Sequence, residues 1–182
     1  MMRFFSLAFI LIVIQLSFES CRKNYTLSEN QKILFQYSYT RDAENSDNQG
    51  YIIDYDGNIL TYNRPEKWNF ADRNSVLTQA QVAENLRFCN TTGKKVPSDE
   101  LNKYERYIIN LASSKVSAKK ISGKGKGTFN YYCFTYSSTD STYRQITIRT
   151  HGDIVCENLN FFSRKVTEWM NLILEGLPIR QL

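Results

Sequence analysis

The sequence is short of the residues on which many active sites rely, since it has one histidine and four cysteines among 182 residues. Any histidine-based acid–base step would have to use His151, and no H-E-x-x-H motif is present. The cysteines follow no C-x-x-C spacing, which excludes a zinc knuckle and a thioredoxin-type motif. No serine lies in a G-x-S-x-G motif. The sequence therefore contains no catalytic motif and predicts no cofactor and no metal site.

Two loops contain parts of ligand-binding motifs but depart from the complete patterns. A P-loop ends in Gly-Lys-Ser/Thr and leads into a helix, whereas the run 123–128, GKGKGT, ends in Lys-Gly-Thr and leads into a predicted strand. Asp42, Glu44 and Asp47 stand at near-alternate positions of an acidic loop. Counted from Asp42, however, Asp47 stands where a calcium loop needs glycine, and Ile53 stands where it needs glutamate. We interpret the first as a flexible link and the second as a solvated loop.

The net charge of +5 is mild, and basic residues are interspersed with acidic ones except between residues 115 and 126. Attraction to an anionic lipid or polymer is compatible with this basic segment. A nucleic-acid interface would need basic and aromatic residues on one demonstrable face. We therefore predict no nucleic-acid partner.

No run is long enough for an ordinary membrane helix, which needs about 20 apolar residues. The longest run, 4–16, is interrupted by Ser6 and Gln15 and follows Arg3. This arrangement is typical of the core of a secretion signal. Cys21 follows shortly after the run.

Cys21 resembles the acceptor cysteine of bacterial lipoproteins, in which the thiol receives a diacylglyceryl group and the signal is cut before it. Ser20 fits the usual pattern, whereas Phe18 and Glu19 depart from it. A conventional signal peptide with an unrelated cysteine is the alternative. Together with the segment 35–60, FQYSYTRDAENSDNQGYIIDYDGNIL, this cysteine makes the chain resemble small envelope lipoproteins of the Bacteroidota. The resemblance implies an envelope location and brings no catalytic residues.

The chain divides into four segments on this interpretation. Residues 1–20 form the signal peptide, and 21–31 contain the lipidated Cys21 and a tether. Residues 32–178 form a single domain, and 179–182 form a tail.

Alternating apolar and polar residues predict five strands, at 32–40, 51–55, 58–62, 129–137 and 143–149. Asp56-Gly57 is typical of a type I′ hairpin turn. A symmetric connection between the strands 129–137 and 143–149, built from the turn formers at 138–141, would place Phe134 opposite Ile146.

Apolar residues at helical spacing predict three helices, at 77–88, 97–112 and 158–177. Thr78 is the expected N-cap of the first. The resulting order β-β-β-α-α-β-β-α predicts an α+β domain with an antiparallel sheet of about five strands, covered by helices on one face.

Beyond Cys21, the thiols Cys89, Cys133 and Cys156 allow at most one disulfide within the chain. Cys89 with Cys156 is a candidate pair, Cys89 with Cys133 is another, and three separate thiols are the alternative. His151, Asp153 and Cys156 lie within six residues. Since catalytic partners usually converge from separate elements, we favour an ordinary turn at His151.

These observations predict a lipid-anchored bacterial envelope protein that acts as a non-enzymatic binding or structural module. Its expected partners are the membrane, through the lipid on Cys21, and an envelope protein. A periplasmic immunity or inhibitor lipoprotein and an envelope enzyme of unknown reaction are the alternatives.

Overall fold

A computed structural model of the chain describes residue 27 and residues 30–41 and 47–179. In these residues the chain forms a nine-stranded antiparallel sheet and three helices. The predicted signal peptide, the predicted lipidation site Cys21, and Asp42 and Glu44 of the acidic loop lie outside the described residues.

The strands are β1 (Ile33–Thr40), β2 (Gln49–Asp54), β3 (Asn58–Asn63), β4 (Val76–Thr78), β5 (Asn90–Lys95), β6 (Lys120–Ile121), β7 (Thr128–Ser137), β8 (Thr142–Gly152) and β9 (Ile154–Glu157). The helices are α1 (Gln79–Arg87), α2 (Ser98–Ala112) and α3 (Ser163–Glu175). The strand order is β5-β3-β2-β1-β7-β8-β9-β6, and β4 also pairs with β8.

The prediction of about five strands with helices on one face is wrong in both respects. The four strands that were missed, β4, β5, β6 and β9, are two to six residues long. No residue of β5 or β6 is buried, so these strands lack the apolar alternation by which a strand is recognised. In addition, the helices pack on both faces of the sheet.

Helices α2 and α3 cover one face, which we call the helical face. Phe35, Tyr37 and Tyr39 of β1 point into it and are buried. Trp169 of α3 fixes the packing, because its ring meets Phe35 edge-on at 5.1 Å and stacks on Tyr104 of α2 at 4.1 Å.

Helix α1 packs on the opposite face, which we call the second face. Val82 of α1 belongs to a buried cluster with Ile52, Phe134 and Tyr143. Thr78 caps α1 as predicted, since its hydroxyl accepts from the Gln81 amide in a capping box. This apolar cluster occupies one end of the second face, and the rest of that face carries polar side chains.

The predicted pairing of β7 with β8 is wrong by one residue. Ile146 lies opposite Cys133, not opposite Phe134. A slip of one residue moves a side chain to the other face of a sheet. As a result, Cys133 and Ile146 are both buried on the helical face, and Phe134 is buried on the second face.

The hairpin between β2 and β3 lies where it was predicted but has a different turn. Gly57 has φ +85° and Asp56 does not have positive φ, whereas a type I′ turn needs both. The Gly57 amide donates to Asp54 at 3.1 Å, which indicates a three-residue connection.

Helix α3 begins five residues later than predicted because Asn158 and Asn160 hold the preceding segment as a loop. Asn158 is buried, and its side-chain amide donates to the main-chain oxygens of Leu111 and Thr147 at 3.0 and 3.2 Å. The Asn160 side chain accepts from the Phe162 amide at 3.0 Å.

Candidate functional site

A groove of about 240 Å³ opens on the second face, beyond the cluster under α1. We call it the polar groove. It is lined by Gln36, Ser38 and Thr40 of β1, Asn130 and Tyr132 of β7, Gln145 and Thr147 of β8, residues 68–72, Ser75, Leu77 and Lys119.

The alternation of the three central strands produces the polar floor of the groove. Successive side chains of a strand point to opposite faces. When Tyr37 and Tyr131 point to the helical face, their neighbours Ser38, Asn130 and Tyr132 point into the groove. The floor is therefore a continuous polar surface across the middle of the sheet.

The buried polar groups at one side of the floor are joined in a chain of hydrogen bonds. Gln36 Nε2 donates to the Tyr62 hydroxyl at 2.9 Å, and that hydroxyl donates to the main-chain oxygen of Tyr37 at 3.1 Å. Burial raises the pKa of Tyr62, so its hydroxyl is neutral at neutral pH. On the other side of the floor, Thr150 Oγ1 donates to Asn130 Oδ1 at 3.0 Å.

The connection 64–75 forms one wall of the groove and is bound to α1. The Asn69 amide donates to Asn85 Oδ1, and Asn85 Nδ2 donates back to the Asn69 oxygen, both at 2.8 Å. Trp68 stacks on Tyr62 with ring centres 4.1 Å apart. These contacts fix the wall before any ligand arrives, which lowers the entropic cost of binding.

Several polar groups of the groove have unused hydrogen-bonding capacity. The side chains of Gln145 and Thr147 form no hydrogen bond with another described residue. Burial raises the pKa of Tyr132, which keeps this hydroxyl neutral as well.

Two further cavities are larger but have fewer polar side chains available to a ligand. One of about 420 Å³ is bounded by Asp47, Arg64 and Ile179, and Asp47 pairs with Arg64 at 2.5 Å. The other, of about 410 Å³, lies between β5 and α3, and Lys94 at its margin donates to the main-chain oxygen of Gly176. Asp47 and Arg64 of the first cavity are paired with each other, and Lys94 and Glu100 of the second have partners within the chain. Lys95 is then the one charged side chain of the second cavity without a partner among the described residues, so we place the candidate site in the polar groove, where several neutral polar groups converge.

The glycine-rich run resembles an anion-binding loop because it binds a carboxylate of the same chain. The oxygens of Asp153 accept from the main-chain amides of Gly125, Lys126 and Gly127 at 2.9, 3.1 and 3.1 Å. Such a row of amides is a nest for an anion. The segment is thus an ordered loop with its anion site filled, whereas the sequence indicated a flexible link.

The structure does not assemble His151, Asp153 and Cys156 into a catalytic site. The His151 ring stacks on Phe129 at 4.8 Å, and its Nδ1 is buried without a partner among the described residues. The carboxylate of Asp153 is engaged by the glycine-rich loop. Cys156 is buried opposite Thr150.

The described cysteines Cys89, Cys133 and Cys156 are free thiols. Burial raises the pKa of Cys89 to about 12, which makes this thiol a poor nucleophile near neutral pH. Of the predicted acidic loop, Asp47 is described and forms ion pairs with Arg41 and Arg64. The described part of the chain contains no group of His, Cys, Asp or Glu residues that could hold a metal ion.

The polar groove was not predicted from the sequence. Its only sign in the sequence is the set of polar residues that alternate with apolar ones in three strands. In each strand alone, such polar residues are typical of a side that faces solvent.

Within the described residues, no helix has both the length and the apolar character needed to span a bilayer. Comparisons of this chain with protein-family models, with curated proteins and with solved structures find no match.

Proposed function

We propose that the protein is a lipid-anchored bacterial envelope protein whose domain binds a small, uncharged, polar ligand in the polar groove. The observation that carries the proposal is the row of amide and hydroxyl groups at Tyr132, Gln145 and Thr147, whose side chains form no hydrogen bond with another described residue, beside a wall that is already in place. On this proposal the domain is a non-enzymatic binding module.

The chemistry of the lining favours an uncharged ligand. Amides and hydroxyls offer donors as well as acceptors, which suits the hydroxyl groups of a polyol or sugar. The charged residues of the lining are Lys119 and Asp72, and Asp72 Oδ1 already accepts from the amides of Asn74 and Val76. The strands of the floor contribute no charged side chain, so a charged ligand would find little electrostatic complementarity there.

The size of the groove favours a small ligand or the end of a longer one. Its volume of about 240 Å³ lies below the roughly 300–1,000 Å³ that is typical of sites for drug-sized molecules. Trp68 and Phe70 line the wall and offer ring faces against which a sugar ring could pack.

The anchor belongs to the same proposal. Each buried methylene of an acyl chain contributes about 0.8 kcal/mol, and stable anchoring requires at least two chains or a second membrane signal. A diacylglyceryl group on Cys21 satisfies this requirement, so the membrane is the first partner of the protein.

Ligand-observed NMR of the mature chain would test the groove, with glucose and N-acetylglucosamine as uncharged probes and glucuronate and glucosamine as charged ones. We expect the uncharged probes to bind better. Thr147→Val and Gln145→Leu should each weaken binding about fivefold, the usual effect of losing a hydrogen bond between neutral groups.

Thr61→Val is the matched control, because Thr61 is also a partly buried strand threonine but does not line the groove. The proposal would be contradicted if none of the four probes bound, if the charged probes bound equally well, or if Thr147→Val and Thr61→Val had the same effect.

A further inference from the structure

The outer margin of the sheet beside β9 carries a second distinctive surface. Residues 115–122 run antiparallel to residues 153–159, with Leu159 donating to the Lys115 oxygen at 2.9 Å and Ser117 donating to the Glu157 oxygen at 2.8 Å. We call residues 115–126 and 153–161 together the lysine edge.

Large apolar side chains of the lysine edge project into solvent. Phe161 is 91% exposed, Ile121 84% and Leu159 67%. Val116 and Val155 are also exposed beside them. Single exposed apolar residues are ordinary, but several along one margin indicate an interaction surface.

The same edge is strongly basic. Residues 115–126 contain five lysines, and the acids of the edge are Asp153 and Glu157. The Asp153 carboxylate is held by the glycine-rich loop. Among the described residues, these lysines form no salt bridge, so their charges face solvent.

Lysines alone could protect an exposed strand from pairing with another chain. That role does not account for Phe161 and Ile121, because exposed apolar side chains promote association. Apolar side chains that enter the acyl boundary, surrounded by lysines that meet anionic headgroups, are the features of a surface that binds at a membrane interface.

We propose that the lysine edge docks on an anionic lipid surface and orients the domain against the bilayer. Phe161, Ile121 and Leu159 enter the interface, and the lysines contact the headgroups. The lysine edge shares only Lys119 with the lining of the polar groove and does not involve the lipid on Cys21. None of the substitutions below changes Lys119, so each proposal can fail without the other.

Sedimentation with lipid vesicles would test the proposal. The protein is the mature chain, residues 21–182, with Cys21→Ser so that no acyl chain contributes. We expect it to bind vesicles of phosphatidylcholine with phosphatidylglycerol, and to bind pure phosphatidylcholine at least about tenfold more weakly. Added salt should weaken binding.

Two sets of variants distinguish a contribution of the lysine edge to vesicle binding from a general effect of substitution. The double variant Phe161→Ser with Ile121→Ser should lower vesicle binding about tenfold or more. Leu172→Ser is its control and should leave vesicle binding unchanged. Leu172 is 68% exposed and lines the cavity beside β5, at the other end of the sheet. Lys115→Gln with Lys120→Gln should lower vesicle binding similarly, and Lys95→Gln on β5 should not.

The inference is overturned if the Cys21→Ser chain binds neither vesicle, binds both equally, or loses binding as much in Leu172→Ser as in the edge variants. Capture of a protein partner by Phe161 and Ile121 without vesicle binding would assign the edge to a protein interface and would also overturn it. Sugar binding in the polar groove should be the same in all these variants.

Discussion

The hydroxyl of Tyr62 lies directly over Gly50. The two residues are paired across β2 and β3, and the Tyr62 hydroxyl reaches past Gly50 to the main-chain oxygen of Tyr37. A Cβ atom at Gly50 would lie 2.7 Å from this hydroxyl and 2.0 Å from the Tyr37 oxygen. Only glycine fits there, so Gly50 allows the hydrogen-bond chain beneath the polar groove.

Gly50→Ala should therefore lower the free energy of unfolding by about 3 kcal/mol, since a main-chain atom would have to move. Urea unfolding monitored by circular dichroism measures the change. Gly123→Ala is the control, because a Cβ there meets its nearest atom at 3.5 Å and φ is not positive. Equal stability of the two variants would contradict the steric account.

Asp153→Ala should loosen the glycine-rich loop. The Asp153 carboxylate accepts from three main-chain amides, and its removal leaves the nest without its anion. We expect faster hydrogen exchange at the amides of Gly125 and Gly127 and a loss of stability of about 1 kcal/mol, because the loop amides can bond to water instead. Amides of β1 provide the internal reference. Unchanged exchange at Gly125 would contradict the nest.

The sequence predicted elements whose apolar residues are local and periodic. The buried side of α2 consists of Leu101, Tyr104, Ile108, Leu111 and Ala112, as the spacing indicated. The position of the β2–β3 hairpin followed from Gly57. In both cases, the information lies within a few neighbouring residues.

The other features depend on relationships that a single segment does not contain. Strand β5, NTTGKK, has no buried residue and forms by pairing with β3. The placement of Cys133 opposite Ile146 depends on one residue of turn length. The polar groove needs three strands that are distant in sequence, and its wall depends on the contacts of Asn69 with Asn85.

The stability of the protein should fall as the pH drops below about 6.5. Burial, followed by the nearby charge of Arg149, lowers the pKa of His151 below its ordinary 6.5. The His151 ring of the unfolded chain therefore takes up a proton at a higher pH than that of the folded chain. The stabilisation that the neutral ring gives the folded state is complete above pH 6.5 and is lost as the pH falls. Urea midpoints measured across this range should fall less steeply in His151→Phe, which keeps a ring against Phe129. Equal slopes would contradict the assignment to His151.

The stability should also fall as the pH rises above about 9. Burial raises the pKa of Cys89 from 9.0 to about 12, so the folded protein retains a proton that the unfolded chain releases. This stabilisation is present below 9 and is lost as the pH rises toward 12. Burial also raises the pKa of Tyr131 to about 12, so its contribution to the pH dependence of stability has the same sign. Cys89→Ala should reduce the alkaline loss seen in urea midpoints, and an unchanged slope would contradict the contribution of Cys89.

Cys21→Ser should allow high salt to release the protein from the membrane fraction of cells. If the thiol carries a diacylglyceryl group, its removal deletes the apolar chains, and the remaining attraction of the lysine edge is weakened by salt. Fractionation at low and high salt, with Cys89→Ser as the thiol control, measures the two contributions separately. The variant should be released by high salt, while the unchanged protein should stay with the membrane and incorporate labelled palmitate. If Cys21→Ser stayed in the membrane fraction at high salt, attachment through this thiol would be contradicted.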